Sequence, residues 1–367
     1  MTAGHTITAS PEFDLLLSSA RTRLEGSAAE RIEDLIAGPI EWEHFLFLAQ
    51  FHRVTEVVYQ TLRKQAPYAI AGDVENFLRG VAHRTVAYNM MLVQELARLK
   101  DVLESEGIRF FTFKGPALAQ EAYGNLGLRS SADLDILIRP EDLERLEELL
   151  FLDGYEFGSG VRDLSPFRRR AYVGLSKQLS LINVKRMVGL DVHTGAMPPG
   201  YRYSFGFDEL WERSRLERVG PESVRLFAPE DTLHLLCYHG VKNRWDQLKY
   251  VTDVAEYVRS HPDLEWETLI RRAEETHGER ILYHGLHVAS RLSDAPVPKE
   301  IAGRYEQEGY IEELAEIVLE NLKNSYREPL DWRTRATFHL RTQDDLRNRA
   351  RYSLYSLMRH VGGVIDI

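Results

Sequence analysis

The apolar positions of this chain change period twice. From residue 11 to residue 105 they recur three and four apart, the spacing of helices that bury one face. Trp42, Phe45, Leu46 and Ala49 share such a stripe, with His52 and Arg53 continuing its rhythm. Pro11-Glu12 opens the first helix in the turn that tolerates a missing N–H. The longest helix is predicted to run from Asp73, as its N-cap, to Glu106, with Gly107 as its stop.

Near residue 107 the period drops toward two. IRFFTF, residues 108–113, is a predicted strand. Pro116 fits the start of a helix reaching Tyr123, broken by Gly124 and Gly127. Leu134 to Ile138 is a second strand, and Pro140-Glu141-Asp142 starts an amphipathic helix ended by Asp153-Gly154. Gly158-Ser159-Gly160 lacks the rest of a dinucleotide fingerprint and is expected to be a flexible turn. Residues 177–184 and 187–193 are predicted to form a hairpin. From Pro229 onward the helical period returns, with helices expected from Pro229 and over 247–259, 264–276, 279–292, 308–323 and 343–360. The pattern therefore predicts an α+β chain: a helical region over 1–105, a core with a small mixed β-sheet over 106–220, and a second helical region over 221–367.

The strand pattern also carries chemistry. With period two, Asp133 and Asp135 project from one face about 7 Å apart, while Leu134, Ile136 and Ile138 turn to the other. Two carboxylates held side by side repel unless a cation lies between them, and hard divalent ions take such oxygens together with substrate phosphates. Alone, Asp-x-Asp is short and common, and its ordinary setting is a solvated strand edge. Asp191, in the alternating run MVGLDVH, supplies a third strand-borne acid if its strand lies beside the first. Three such acids can hold two divalent ions about 3.5–4 Å apart, as in-line phosphoryl and nucleotidyl transfer require. The plain alternative for Asp191 is a strand-end acid bonded to a turn.

Composition narrows the setting. The chain has 367 residues, 44% hydrophobic and 28% charged, with a formal net charge of −10. That length predicts more than one domain. The acidic balance argues against broad nucleic-acid binding but leaves room for local basic surfaces. Arg168, Arg169, Arg170, Lys177, Lys185 and Arg186 form one concentration, and Arg333, Arg335, Arg341, Arg347, Arg349 and Arg351 another. Each is either a solvated helix face or a surface for triphosphate or an anionic acceptor. No apolar run approaches the ~20 residues that span a bilayer. The N-terminus lacks a basic segment followed by an apolar one, so no secretory signal is expected. The single cysteine, Cys237, excludes an internal disulfide and reads as a buried thiol. A cytoplasmic protein without a membrane partner is expected, its oligomeric state open.

At these residues the chain resembles the nucleotidyltransferase superfamily that includes DNA polymerase beta. It most resembles a family of largely uncharacterised bacterial nucleotidyltransferases with the pattern K-G-x-A-L, Tyr, Arg before D-[IL]-D, and D-[LV]-H. Here those are Lys114, Gly115, Ala117, Leu118, Tyr123, Arg129, Asp133, Asp135, Asp191 and His193. The helical segment PEDTLHLLCYHGVKNRWDQLKYVTDVAEYV adds His239, Lys242, Trp245 and Asp253, and WEHFLFLAQFHRVTEVVYQTL also fits. The likeness spans roughly residues 40–260. Thr194 follows His193 where an aromatic residue is common, and Asn243 stands where another histidine is frequent.

The resemblance implies a catalytic, metal-binding triad of Asp133, Asp135 and Asp191, two Mg²⁺ (or Mn²⁺) ions, and an NTP substrate such as ATP. Lys114, Gly115, Arg129, Ser130, Ser131, His239 and Lys242 would bind the triphosphate. A glycine turn before a helix N-terminus suits phosphate oxygens, and Lys114 adds a point charge, unless it is a surface lysine at a tight turn. Arg129 either grips phosphate through paired donors or forms a structural ion pair with one of the acids. Ser130 and Ser131 either bond phosphate or their own backbone. His239 and Lys242 face the nucleotide or serve their helix, and His284 and His287 read as structural. The implied reaction moves a nucleoside monophosphate from NTP to a hydroxyl on a small molecule, an RNA end or a protein, releasing pyrophosphate. Two rivals remain open: a non-catalytic NTP sensor or scaffold module, and a phosphotransferase using the same metal site.

Overall fold

Ser10 caps the first helix, its Oγ accepting from the Phe13 amide at 3.3 Å. The structure is a computed structural model that describes residues 10–361 apart from 25–26, 68–69, 71, 203–204 and 329. Of the segment read for a leader, residues 1–17, the first nine lie outside the described residues. Five helices come first: α1 (Pro11–Ser19), α2 (Ser27–Ala37), α3 (Trp42–Phe51), α4 (Thr55–Gln65) and α5 (Gly72–Ser105). The last begins one residue before Asp73, so Asp73 lies inside its first turn and bonds the Val74 amide at 3.0 Å.

The sheet follows. β1 (Phe110–Phe113) leads into α6 (Gly115–Tyr123), then β2 (Leu134–Ile138), α7 (Leu143–Leu152), β3 (Glu156–Phe157), α8 (Ser159–Arg162), α9 (Pro166–Ser176), β4 (Gln178–Asn183) and β5 (Val188–His193). The strand order is β1-β2-β5-β4-β3. Only β2 and β5 run parallel; the other pairs are antiparallel. The expected flexible turn at Gly158 instead caps α8, and a Cβ there would stand 3.2 Å from the Ser180 carbonyl. The helix α9 was not legible, because PFRRRAYVGLS buries only Val173. Its Arg168 and Arg170 are exposed, while Arg169 lies over the Phe157 ring at 3.5 Å.

After α10 (Phe207–Arg213) comes a second, unpredicted hairpin of β6 (Arg215–Val219) and β7 (Glu222–Leu226), whose turn falls at residue 220. Eight helices complete the chain: α11 (Pro229–Lys242), α12 (Leu248–Ser260), α13 (Trp266–Thr276), α14 (Glu279–Ser293), α15 (Lys299–Ala302), α16 (Gly309–Asn324), α17 (Trp332–Arg341) and α18 (Leu346–Val361). Among the described residues no helix is long and apolar enough to cross a membrane.

The sheet is buried on both faces. Leu134, Ile136 and Ile138 pack with Leu92, Leu96 and Leu99 of α5. Phe111, Phe113 and Leu137 face the other way, into a core shared with Leu233 and Leu236 of α11 and Val254 of α12. That second core also contains Leu15, Leu16, Phe45 and Leu62, so the helices from the two ends of the chain form one continuous body. Polar ties reinforce it: the Thr22 amide donates to Glu256 at 3.2 Å, and Arg21 pairs with Asp294 at 2.5 Å.

Candidate metal and phosphate site

β2 and β5 lie parallel with Asp135 opposite Asp191 and Leu137 opposite His193. This register brings one oxygen of Asp135, one of Asp191 and a ring nitrogen of His193 within 4.8 Å of one another. Asp133 is not in that closest group. It occupies a bend just before β2 begins, so the period-two argument that paired it with Asp135 does not reach it. It still lines the same cavity, and Gly189 of β5 makes room for it: a Cβ on Gly189 would meet the Asp133 Cβ at 3.2 Å.

The two facing acids are held differently. Asp135 is buried, which alone would raise its pKa. Lys114 Nζ and His193 Nε2 both reach its Oδ1, at 3.2 and 2.9 Å, and together hold it down at about 2. Asp191 is pushed up to about 7 by burial and by the charges of Asp135 and Asp133, against hydrogen bonds from Ser180 Oγ at 2.6 Å and Gln178 Nε2 at 2.5 Å. Asp133 is also raised, by burial and then by Asp135. His193 is kept neutral chiefly by burial, with Phe113 edge-on at 5.0 Å. Carboxylates whose proton affinity is raised by burial and by one another's charge, as in Asp133 and Asp191, are a donor set that a divalent cation relieves. The oxygen donors, with a neutral imidazole beside them, fit Mg²⁺ or Mn²⁺.

Lys114 and Gly115 turn the chain from β1 into α6. Both have positive φ, 56° and 45°, and a Cβ on Gly115 would stand 3.1 Å from the Asp133 carbonyl. Lys114 holds a conformation that side chains disfavour, at a cost of order 1–3 kcal/mol, and that turn sets its ammonium against Asp135. The loop carrying Arg129, Ser130 and Ser131 is fixed from α5. Asn89 Nδ2 donates to the Leu126 and Arg129 carbonyls at 2.5 and 2.9 Å, and Tyr88 donates to the Ala132 carbonyl at 2.7 Å.

These groups line one cavity of about 240 Å³. Lys114, Gly115, Arg129, Ser130, Ser131, Asp133, Asp135, Asp191, His239 and Lys242 all contribute to its wall. His239 is kept neutral by burial and by the nearby charges of Lys114 and Lys242. Arg129 is not free to grip a ligand with its whole fork. Its Nε and Nη2 donate to both oxygens of Asp253 at 2.7 and 2.9 Å, and Tyr123 donates to the same carboxylate at 2.8 Å. The ion pair is therefore with α12, not with the acid cluster, and only the Nη1 edge is left for the cavity.

Two further cations in the wall, Arg53 and Lys249, escaped the sequence reading of the site. The Leu248 amide donates to His52 Nδ1 at 3.2 Å, the Lys249 amide to the His52 carbonyl at 3.1 Å, and Gln247 to the Phe51 carbonyl at 3.1 Å. His52 is buried and held near 4 chiefly by that burial, so its ring stays a neutral acceptor. The docking aims Arg53, in a left-handed conformation (φ 54°) where glycine is usual, into the cavity beside Lys249. Burial, with the charges of Arg129 and Arg53, pushes Lys249 down to about 7. No local signal announces either residue, since each depends on a contact 196 residues away in sequence.

The cavity wall holds five cationic side chains, Arg53, Lys114, Arg129, Lys242 and Lys249, against four carboxylates, Asp133, Asp135, Asp191 and Asp253.

The sequence profile of a family described as "Uncharacterised nucleotidyltransferase" matches residues 38–294. The search of curated proteins gave no match. Among solved structures, that of an antigenic nucleotidyltransferase-like protein from Paracoccidioides brasiliensis is similar at 16% identity, covering 55% of this chain and 96% of that one, with a TM-score of 0.31.

Proposed function

We propose a function whose premise is that the chain belongs to the family of uncharacterised nucleotidyltransferases. It is divalent-metal-dependent transfer of a nucleoside monophosphate from an NTP to a hydroxyl acceptor, with pyrophosphate as the leaving group. The observation that carries it is the facing pair Asp135 and Asp191 at the wall of a cavity that also presents Lys114, Arg53, Lys242 and Lys249.

In this reading Asp133, Asp135 and Asp191 are the catalytic and metal-holding residues. Bound divalent ions would neutralise triphosphate charge and make the acceptor hydroxyl more acidic. The Lys114-Gly115 turn, at the N-terminus of α6, meets the phosphates with backbone N–H groups and an ammonium. Ser130, Ser131, His239, Lys242 and the Nη1 edge of Arg129 complete the triphosphate pocket, with Arg53 and Lys249 added by the fold. The acceptor oxygen bonds to the α-phosphorus, the bond to the β-bridging oxygen breaks, and pyrophosphate leaves with the electron pair. The acceptor proton passes by way of the carboxylate cluster to water.

The test is incubation with each NTP, Mg²⁺ or Mn²⁺ and a panel of hydroxyl acceptors, with pyrophosphate and product masses followed together. Pyrophosphate release with an acceptor gaining a nucleoside monophosphate supports the proposal. An acceptor gaining a single phosphate makes the protein a phosphotransferase. Tight NTP binding with no product from any acceptor makes it a sensor or scaffold.

A further inference from the structure

A second cavity, of about 310 Å³, opens between α3, α4 and α5, and Arg53, Ser130 and Ser131 line both it and the metal and phosphate cavity. Every side chain lining it except Val81 carries a polar group. Tyr88 is its single aromatic, too little to sandwich a nucleobase, which is held mainly by stacking.

Two buried wall atoms lack the partners that buried polar atoms normally have. Asn89 is fully buried, and its Oδ1 accepts nothing although its Nδ2 donates twice. Ser131 Oγ is buried and unpartnered as well. Glu56 is 3% exposed, and burial raises its pKa despite a hydrogen bond from Thr85 at 2.5 Å. An unmet buried acceptor or hydroxyl costs about 1–3 kcal/mol, so such groups gather where a ligand meets them. Arg84 is exposed at the rim.

We propose that this second cavity binds the acceptor, and that the acceptor is a small polyhydroxylated molecule of the sugar or cyclitol class. Asn89 Oδ1 and Glu56 accept hydrogen bonds from its hydroxyls, while Ser131 and Gln50 offer donors in return. The inference rests on the nucleotidyl-transfer reading. Ser130 and Ser131 line both cavities and lead directly to Ala132-Asp133, so a ligand in the second cavity lies against the loop that enters the carboxylate cluster. One hydroxyl oxygen bonds to the α-phosphorus of the NTP, the α–β bridging bond breaks, pyrophosphate departs, and the hydroxyl proton passes by way of the cluster to water. The remaining hydroxyls stay in the second cavity and fix which oxygen reacts.

The test uses the full chain with Mn²⁺ and NTP. The probes are glucose, glucosamine, ribose and myo-inositol, run beside a serine- and tyrosine-containing peptide and a short RNA. Val81→Trp fills the cavity from its half-buried wall, and Arg84→Glu changes the exposed rim without disturbing packing. The expected result is a polyol–nucleoside monophosphate adduct whose kcat/KM falls at least about 50-fold in Val81→Trp, roughly 2.3 kcal/mol by the tenfold rule, while NTP affinity stays within about twofold. Labelling of the peptide or RNA but of no polyol overturns the inference and leaves the parent reading standing. Polyol transfer that is undiminished in both variants also overturns it. A wild type that releases no pyrophosphate with any probe sinks the parent reading and this one with it.

Discussion

Arg129 donates two parallel hydrogen bonds to Asp253, at 2.7 and 2.9 Å, with the side chains only 10% and 3% exposed. The pair ties the loop ahead of the metal strand to α12 of the helical body. Truncating one member of a buried pair strands the other charge, at about 3–5 kcal/mol. Arg129→Ala is therefore expected to lower stability by that order as well as weaken NTP binding, measured by thermal or urea unfolding beside NTP titration. An Arg129→Ala protein with wild-type stability would show that the ion pair has no structural weight.

Asp191 makes the metal-free protein pH-sensitive. Its pKa is about 7 in the fold, against the ordinary 3.8. Between those values the folded state holds a proton that the unfolded chain has released, so this group's contribution to stability falls as pH rises from about 4 to 7. Mn²⁺ or Mg²⁺ replaces that proton, so the stabilisation by metal grows over the same interval. Unfolding curves from pH 5 to 8, with and without metal, check both signs. Parallel curves would reject the coupling.

The same contrast separates two substitutions that look alike. Asp135 has Lys114 and His193 as partners, so Asp135→Asn removes a charge they need and brings no gain in stability. Asp191 makes no ion pair among the described residues and sits among like charges that outweigh the nearby Lys114, so Asp191→Asn should stabilise the metal-free protein at pH 8 by about 1 kcal/mol. Both variants should lose metal binding and at least about 10³-fold in transfer, since Asn cannot supply the charge that holds the ion. Calorimetric metal titration and product formation test the loss, and unfolding at pH 8 tests the split.

Lys249 should take up a proton when triphosphate binds. With its pKa at about 7 it is partly neutral in the ligand-free protein, and an arriving anion favours the charged form. NTP binding measured in buffers of different ionisation enthalpy near pH 8 should show net proton uptake, abolished in Lys249→Met. Lys249→Met should also bind NTP about tenfold more weakly. Identical proton counts in both proteins would remove Lys249 from the site.

Gly189→Ala tests the placement of Asp133. The added methyl would come 3.2 Å from the Asp133 Cβ and must displace it by a few tenths of an ångström. Because a misplacement of 1 Å can cost about 10²-fold, a drop of about tenfold in transfer is expected, with the fold retained. Full activity in that variant would place Asp133 outside the reacting geometry.

Asp135 and Asp191 could be read from the chain because period two is a local property of a strand. The Lys114-Gly115 turn was legible for the same reason. Asp133 stands one residue before β2, where the alternation no longer fixes its direction, yet it lines the same cavity. Arg53 and Lys249 could not be seen at all, since their placement comes from His52 receiving the start of α12. The β6–β7 hairpin hid behind a mixture of Arg215, Glu217, Arg218, Glu222 and Arg225 that blurs the alternation. The shared core of the two helical regions was equally invisible, because nothing local says that Leu16 and Val254 belong to one interior.

That shared interior has a consequence for how the protein comes into being. During synthesis the carboxylate strands emerge from the ribosome well before α12, while Lys249 and Asp253 are still unmade. Until they arrive, Arg129 lacks its bidentate partner, the turn after α3 lacks the start of α12 to dock against, and α1, α3 and α4 pack only among the N-terminal helices. The nascent chain thus spends its middle period with an incomplete site and an open flank. A chain interrupted before α12 would lack Lys249 and Asp253 from the cavity wall and would leave that flank open.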